Sequence, residues 1–295
     1  MKQQEFNEII NKKIFEENLT KLLEKIAKYP DRYVGLFRPT KPYSKIIQNI
    51  SQSYEIRFGD ALEAIFEKYM EYIGFENLEK RIITNTGQIY NIDLLFKSEN
   101  TKTVYMVEQK VRDDHDSTKK RGQYTNFSEK YEIIEKVFNG YTVTAIMWFV
   151  DDSLRKNKNF YEAKIKIEIL QKDKDSMHLV YGEEFFNISN ELEEKSFWDV
   201  FIGQLKSWKD GIPEHPNINF DDEENINEVI NQISPNKITN SIWKNLFTDE
   251  RILNDIFPVI FPTGLAFRKY LTIFEDNSKR GLEIKKFMKE YLQKV

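Results

Sequence analysis

Glu108 and Lys110 stand two residues apart in the strand-like run 103–111, and Asp93 lies in the strand-like run before it, 90–96. Side chains alternate faces along an extended strand, so Glu108 and Lys110 share one face while Gln109 takes the other. If the two runs pair as a hairpin or meander, Asp93 joins them at one end of the sheet, and two carboxylates meet one ammonium. Such a trio suits metal-dependent phosphodiester hydrolysis. The carboxylate oxygens hold a hard divalent cation, and the lysine orients or deprotonates the attacking water. The plain alternative is a solvated strand face, since Glu-x-Lys by itself is a short motif. Against it stand the apolar neighbours Val104, Met106 and Val107 and the acidic residue on the preceding strand.

The elements that must position these residues are legible on both sides. A helix opens at residues 59–63, carries Leu62, Ile65, Phe66, Tyr69 and Ile73 at helical spacing, and meets Gly74 where a C-terminal cap belongs. A strand over 81–84, a turn at 85–87, the Asp93 strand, a turn at 98–100 and the Glu108 strand follow. A polar helix is predicted over 117–138, then a doubly buried strand over 141–150. Downstream, the patterning predicts strands over 164–170 and 177–182, and a helix carrying Phe197, Trp198, Phe201, Leu205 and Trp208. Residues 1–58 begin as helix and pass through Pro30, Pro39 and Pro42 in a loop with Arg32, Arg38, Lys41 and Lys45. That loop reads equally as a DNA contact and as ordinary surface. A polar linker is expected over 210–224, before a mostly helical tail interrupted by Pro235, Pro258 and Pro262. The expected divisions are 1–58, 59–210 and 211–295.

The order helix, three strands, helix, strand over 59–151, with Asp93, Glu108 and Lys110 in place, resembles the PD-(D/E)xK nuclease superfamily and, within it, type II restriction endonucleases. Ile92 stands where the name-giving pattern has proline. The resemblance implies an α/β fold with a restriction-endonuclease-like core, a mixed central sheet flanked by helices, extended by helical N- and C-terminal additions. It implies a Mg2+-dependent, sequence-specific endonuclease acting on double-stranded DNA, with Asp93 and Glu108 on the metal and Lys110 beside the nucleophile. Glu63 is similar to the extra acidic residue that many members carry on the helix before the first strand, although Glu63, Glu67 and Glu71 also fit a solvated helical face. Gln123 is similar to a glutamine that some relatives place against the substrate strand. A homodimer matched to a palindromic site and a cognate DNA methyltransferase as genetic partner follow from the same resemblance.

Directly after the Glu108 strand comes a charged run from Arg112 to Gln123. Asp113, Asp114 and Asp116 suit helix capping. His115, Lys119, Lys120, Arg121 and Gln123 lie where that helix leaves the end of the sheet, near the path of a bound phosphate backbone. His115 alone reads more simply as a polar loop residue than as a base.

Composition narrows the classes further. At 295 residues and 40% hydrophobic content the chain can bury a full core. No apolar run reaches the roughly 18 residues of a membrane span, and the first residues show no signal-peptide pattern, so a bacterial cytoplasmic protein is expected. With no cysteine there is no disulfide, thiolate zinc site or cysteine nucleophile. A net charge of −4 speaks against a non-specific nucleic-acid coat protein. His115, His178 and His215 are too scattered for a zinc site, and no phosphate loop or nucleophile elbow is present. Two other readings stay open: a repair, recombination or transposition nuclease with the same core, and a DNA-binding module with a degenerate one.

Overall fold

The computed structural model describes residues 1–295 except 17, 85, 173–175, 190–191, 193–194, 225 and 234–236. The expected turn residue Asn85 and the interruption at Pro235 lie outside the described residues. The chain forms two compact units, Met1–Lys13 with Arg57–Ile212 and Ile14–Ile56 with Pro213–Val295.

The first unit is built on a five-stranded sheet in the order β1 (Glu76–Asn77), β4 (Leu94–Ser98), β5 (Thr103–Lys110), β6 (Thr142–Phe149), β7 (Met177–Tyr181). β1, β4 and β5 pair antiparallel, whereas β5, β6 and β7 run parallel. The short β2 (Arg81–Ile83) and β3 (Ile89–Asn91) pair with each other in a separate two-stranded sheet. β5 and β6 are buried along nearly their whole length, as strands covered on both faces must be. On one face Val104, Met106, Val143, Ala145, Met147 and Phe149 join a core with Phe127, Tyr131 and Ile134 of α4 (Ser117–Val137) and Tyr161 and Ile165 of α5 (Lys158–Lys172). On the other, Trp148 meets Phe66 of α3 (Pro42–Tyr72) at 4.4 Å between ring centroids, and Phe66 meets Phe201 of α6 (Lys195–Asp210) at 4.9 Å. The fold is thus α/β, a mixed sheet between helices.

Three expectations need correction. Residues 164–170 are helical, inside α5. Their alternation Lys-Ile-Lys-Ile-Glu-Ile imitates a strand, but β6 and β7 are parallel, and a parallel pair needs a crossover element. In the helix Tyr161 and Ile165 turn inward and Ile167 and Leu170 face solvent. Next, α3 begins at Pro42 rather than Gly59. Proline at the first helical position gives up no needed donor, and a glycine within a long helix costs only about 1 kcal/mol. Its far end is as expected: Gly74, at φ +94°, donates to Glu71 O and Phe75 donates to Met70 O, the paired bonds of a Schellman cap. Finally, the run 90–96 is broken at Ile92 and Asp93, between β3 and β4.

The second unit is helical. Leu19, Leu22, Leu23 and Ile26 form one stripe of α2 (Asn18–Lys28), packed with Ile46 and Ile50 and with Trp243, Phe257 and Phe267 from the C-terminal helices. The expected linker 210–224 is anchored near its end: Ile218 is buried in this core and the Phe220 N–H donates to Ile260 O. Asp221 is buried and accepts from the backbone N–H groups of Thr263 and Ala266 and from the Thr263 hydroxyl. A carboxylate that satisfies three donors behaves as a helix cap, which its acidic surroundings in the sequence conceal. No helix among the described residues is long and apolar enough to cross a membrane.

Candidate active site

The break before β4 places Asp93 one position beyond the Leu94↔Val107 pair, beside the end of β5. Its Oδ2 accepts from the Gln109 backbone N–H at 2.9 Å and from the Lys110 ammonium at 2.8 Å. Lys110 Nζ is also 2.7 Å from Glu108 Oε1 and 2.9 Å from the Gln109 carbonyl oxygen. One ammonium therefore stands between the two carboxylates, with its three donors engaged.

A fourth member was not foreseen. Lys130 Nζ lies 2.5 Å from Glu108 Oε2, with Glu108 3% and Lys130 5% exposed. Lys130 belongs to the inward face of α4, between Phe127 and Ile134, and Glu108 points to that face because it shares the side of Val104 and Met106. The available signal was a lysine inside an apolar stripe at 124, 127, 131 and 134, where a buried charge demands a partner.

The electrostatics follow from this arrangement. Burial first, and the nearby Glu108 second, push the Asp93 carboxyl above its usual range, despite the pull of Lys110. Burial also works to raise Glu108, but the Lys110 and Lys130 ammonium groups outweigh it and hold that carboxyl below its usual range. For Lys110, burial favours the neutral form, yet Glu108 and Asp93 outweigh it and raise its pKa, so it stays charged at neutral pH.

Glu63 stands beside the trio rather than in it. Lys80 Nζ reaches Glu67 Oε1 at 2.8 Å, the Asp93 carbonyl at 3.1 Å and Glu63 Oε2 at 3.4 Å, linking Glu63 to the Asp93 turn. Burial, and then the Asp93 charge, push Glu63 up to about 7. The line Glu63, Glu67 is therefore not a freely solvated face.

The charged run after β5 divides. Asp116 caps α4, accepting from Thr118 N at 2.9 Å and Lys119 N at 2.8 Å. Asp113 is no cap: it is fully buried and accepts from Asn157 N and Nδ2 and from the Tyr181 hydroxyl. Asn157 Nδ2 also donates to the His115 carbonyl, so this network fixes the path from β5 to α4. Burial first, and Lys119 second, lower the His115 pKa. Lys119 and Arg121 are exposed, while Lys120 Nζ lies 4.8 Å from the Phe160 ring centroid. Gln123 Oε1 accepts from the Tyr161 hydroxyl at 2.9 Å.

The donor set suits a hard divalent cation. Asp93 and Glu108 offer only oxygen, and Asp93 Oδ1 accepts no hydrogen bond from the described residues. No cluster of three or more metal-ligating side chains occurs among the described residues. Two carboxylates, with water and substrate phosphate completing the shell, are a usual complement for Mg2+.

Comparison with known proteins agrees with this chemistry. Residues 68–210, just under half of the chain, match the family model of the type II restriction endonuclease HinfI. The matched segment contains Asp93, Glu108, Lys110, His115, Lys119 to Arg121, Gln123 and Lys130, and Glu63 precedes it. Enzymes of that family are site-specific deoxyribonucleases, and the resemblance read from the sequence is borne out over this segment. No curated protein matches the chain.

Proposed function

We propose, from the type II restriction endonuclease family that residues 68–210 match, that this chain hydrolyses phosphodiester bonds of double-stranded DNA at a specific sequence, with Mg2+ held by Asp93 and Glu108. The observation that carries the reading is the Lys110 ammonium between the half-buried Asp93 and buried Glu108 carboxylates at the end of β5.

Such an ion, when bound, supplies charge stabilisation at the phosphoryl oxygens and a nucleophile at neutral pH. The chain's own residues do the rest. Asp93 and Glu108 are pre-positioned by the antiparallel β4–β5 pairing and by the Gln109 N–H. Lys110, charged because its carboxylate partners outweigh burial, orients the attacking water and offsets negative charge that develops on the phosphate. A lysine already protonated at neutral pH has no free electron pair with which to take a proton from water, so orientation is favoured over deprotonation. Lys130 keeps the Glu108 carboxylate turned toward the cluster. Glu63, able to change charge near neutrality, adjusts the field at Asp93.

Lys119, Lys120 and Arg121 are assigned to the phosphate backbone, with His115 and Gln123 beside them. A homodimer reading a palindromic site, a methyltransferase partner and a bacterial cytoplasmic setting complete the proposal. Incubation with plasmid DNA and Mg2+ tests it. Discrete bands are expected. A smear or structure-selective nicking would instead indicate a repair nuclease, and binding without cutting a DNA-binding module.

A further inference from the structure

The second unit carries an exposed loop that the catalytic reading does not use. Between the 3-10 turn Pro30–Arg32 and the start of α3, Tyr33 and Val34 are buried, Gly35 takes φ +146°, and the chain then presents Leu36 and Phe37 to solvent, 91% and 97% exposed. Arg38 closes the loop: its backbone N–H donates to Gly35 O, and its Nε donates to Asp31 O at 3.1 Å. The apolar tip is thus held on a base pinned by buried residues at one side and by a 31-residue helix at the other.

Its charge runs against that of the whole chain. Residues 29–45 carry Arg32, Arg38, Lys41 and Lys45 against a single acid, Asp31, whose carboxylate is engaged by Arg251. None of the four basic side chains is ion-paired with a described acidic side chain. In a protein of net charge −4, a basic loop with an apolar tip complements a polyanion that has an apolar interior to meet it. Duplex DNA is such a partner: phosphates flank a groove in which apolar side chains press against or between base steps.

We propose that this loop is a DNA-contacting element, with Arg38 and Lys41 on phosphates and Leu36 and Phe37 seated in the groove. The inference rests on the nuclease reading, since the partner is the same substrate.

The test uses the full chain in Ca2+ and a mixed-sequence 30-base-pair duplex, with L36S/F37S and R38A/K41A double variants. All the altered side chains are solvent-facing, and R38A gives up only one exposed side-chain hydrogen bond while the Arg38 backbone bond to Gly35 O remains, so wild-type circular dichroism and a near-wild-type Tm are expected. R38A/K41A should reduce the slope of log affinity against log salt by about 1.8, at about 0.9 for each phosphate no longer neutralised. L36S/F37S should weaken binding about tenfold with an unchanged slope, and should abolish the fluorescence rise of 2-aminopurine placed in the duplex. Wild-type binding by both variants, while the unaltered protein cuts plasmid with Mg2+, overturns the loop assignment and leaves the nuclease reading standing. If L36S/F37S instead converts a DNA-free dimer to monomer in sedimentation, the tip is a subunit contact and the assignment is likewise overturned. If the unaltered protein neither binds nor cuts DNA, both readings fall.

Discussion

Lys130 approaches Glu108 Oε2 to 2.5 Å from the neighbouring helix, while Lys110 takes Oε1 from the same strand. Removing one partner of a buried ion pair costs about 3–5 kcal/mol, because the remaining charge stays desolvated. K130M should therefore lower the unfolding free energy by about 3 kcal/mol in urea melts and also depress kcat. K130R, which keeps the charge, should recover part of both. Wild-type stability and kcat in K130M would remove Lys130 from the site.

Substitution within the trio should separate chemistry from folding. D93N, E108Q and K110M, chosen to preserve volume, should each reduce plasmid cleavage by at least about 100-fold, the scale on which a positioned charge acts in a transition state. E108A should also destabilise, since it strands the buried Lys130 ammonium and takes one of two carboxylate partners from Lys110. Cleavage within a few-fold of wild type by any one of the three, at matched protein and Mg2+, would retire the role assigned to that residue.

Much of this arrangement was legible in the sequence, and the exceptions share a physical cause. The Glu108 strand and the strand over 141–150 announced themselves as apolar runs of β-branched and aromatic residues, and Gly74 announced the end of α3. Residues 164–170 misled because three isoleucines alternate with charges, and only the parallel pairing of β6 and β7 reveals that a crossover helix is required there. Lys130 and Asp113 escaped for a related reason. Local patterning shows what a charged residue does to its own helix or turn, but not which distant group neutralises it, and here the partners lie 22 and 44 residues away or more.

Cleavage should need Mg2+ or Mn2+ and be lost in EDTA, with Ca2+ sustaining DNA binding but not cutting. Oxygen-only donors select hard ions, and the larger Ca2+ meets the same carboxylates with looser geometry. Parallel gel-shift and cleavage assays across the three ions check this, and full activity in EDTA would contradict the mechanism.

Glu63 should reveal itself in the metal-free protein. Its carboxyl is raised from 4.5 to about 7 in the fold, by burial and then by Asp93. The folded state therefore holds a proton that the unfolded chain releases, and stability falls as pH rises between those values, then levels off. E63Q mimics the protonated form, so it should be more stable than wild type at pH 8, by up to about 2 kcal/mol once solvent screening is allowed for. The two proteins should converge near pH 4.5. Urea melts in EDTA at pH 5 and pH 8 decide the matter: equal or lower stability of E63Q at pH 8 would place Glu63 outside the field of Asp93.

The start of α4 offers the last test. Asp116 caps the helix and the Asp113–Asn157 network fixes the path into it, so Lys119 and Arg121 are presented to solvent on a rigid element. Lys120 is partly held over the Phe160 ring, which restrains its stem without neutralising its charge. Phosphate contacts position a protein without reading bases. Replacing Lys119, Lys120 and Arg121 together with alanine should then weaken binding to every duplex by a similar factor and reduce the salt slope by about 0.9 for each phosphate that goes without its cation. The sequence that is cut should stay the same. Affinity and slope come from titrations at several salt concentrations, and the cut site from end-mapping of the cleaved plasmid. Unchanged affinity, or a changed cleavage sequence, would mean that this helix does something other than hold the backbone.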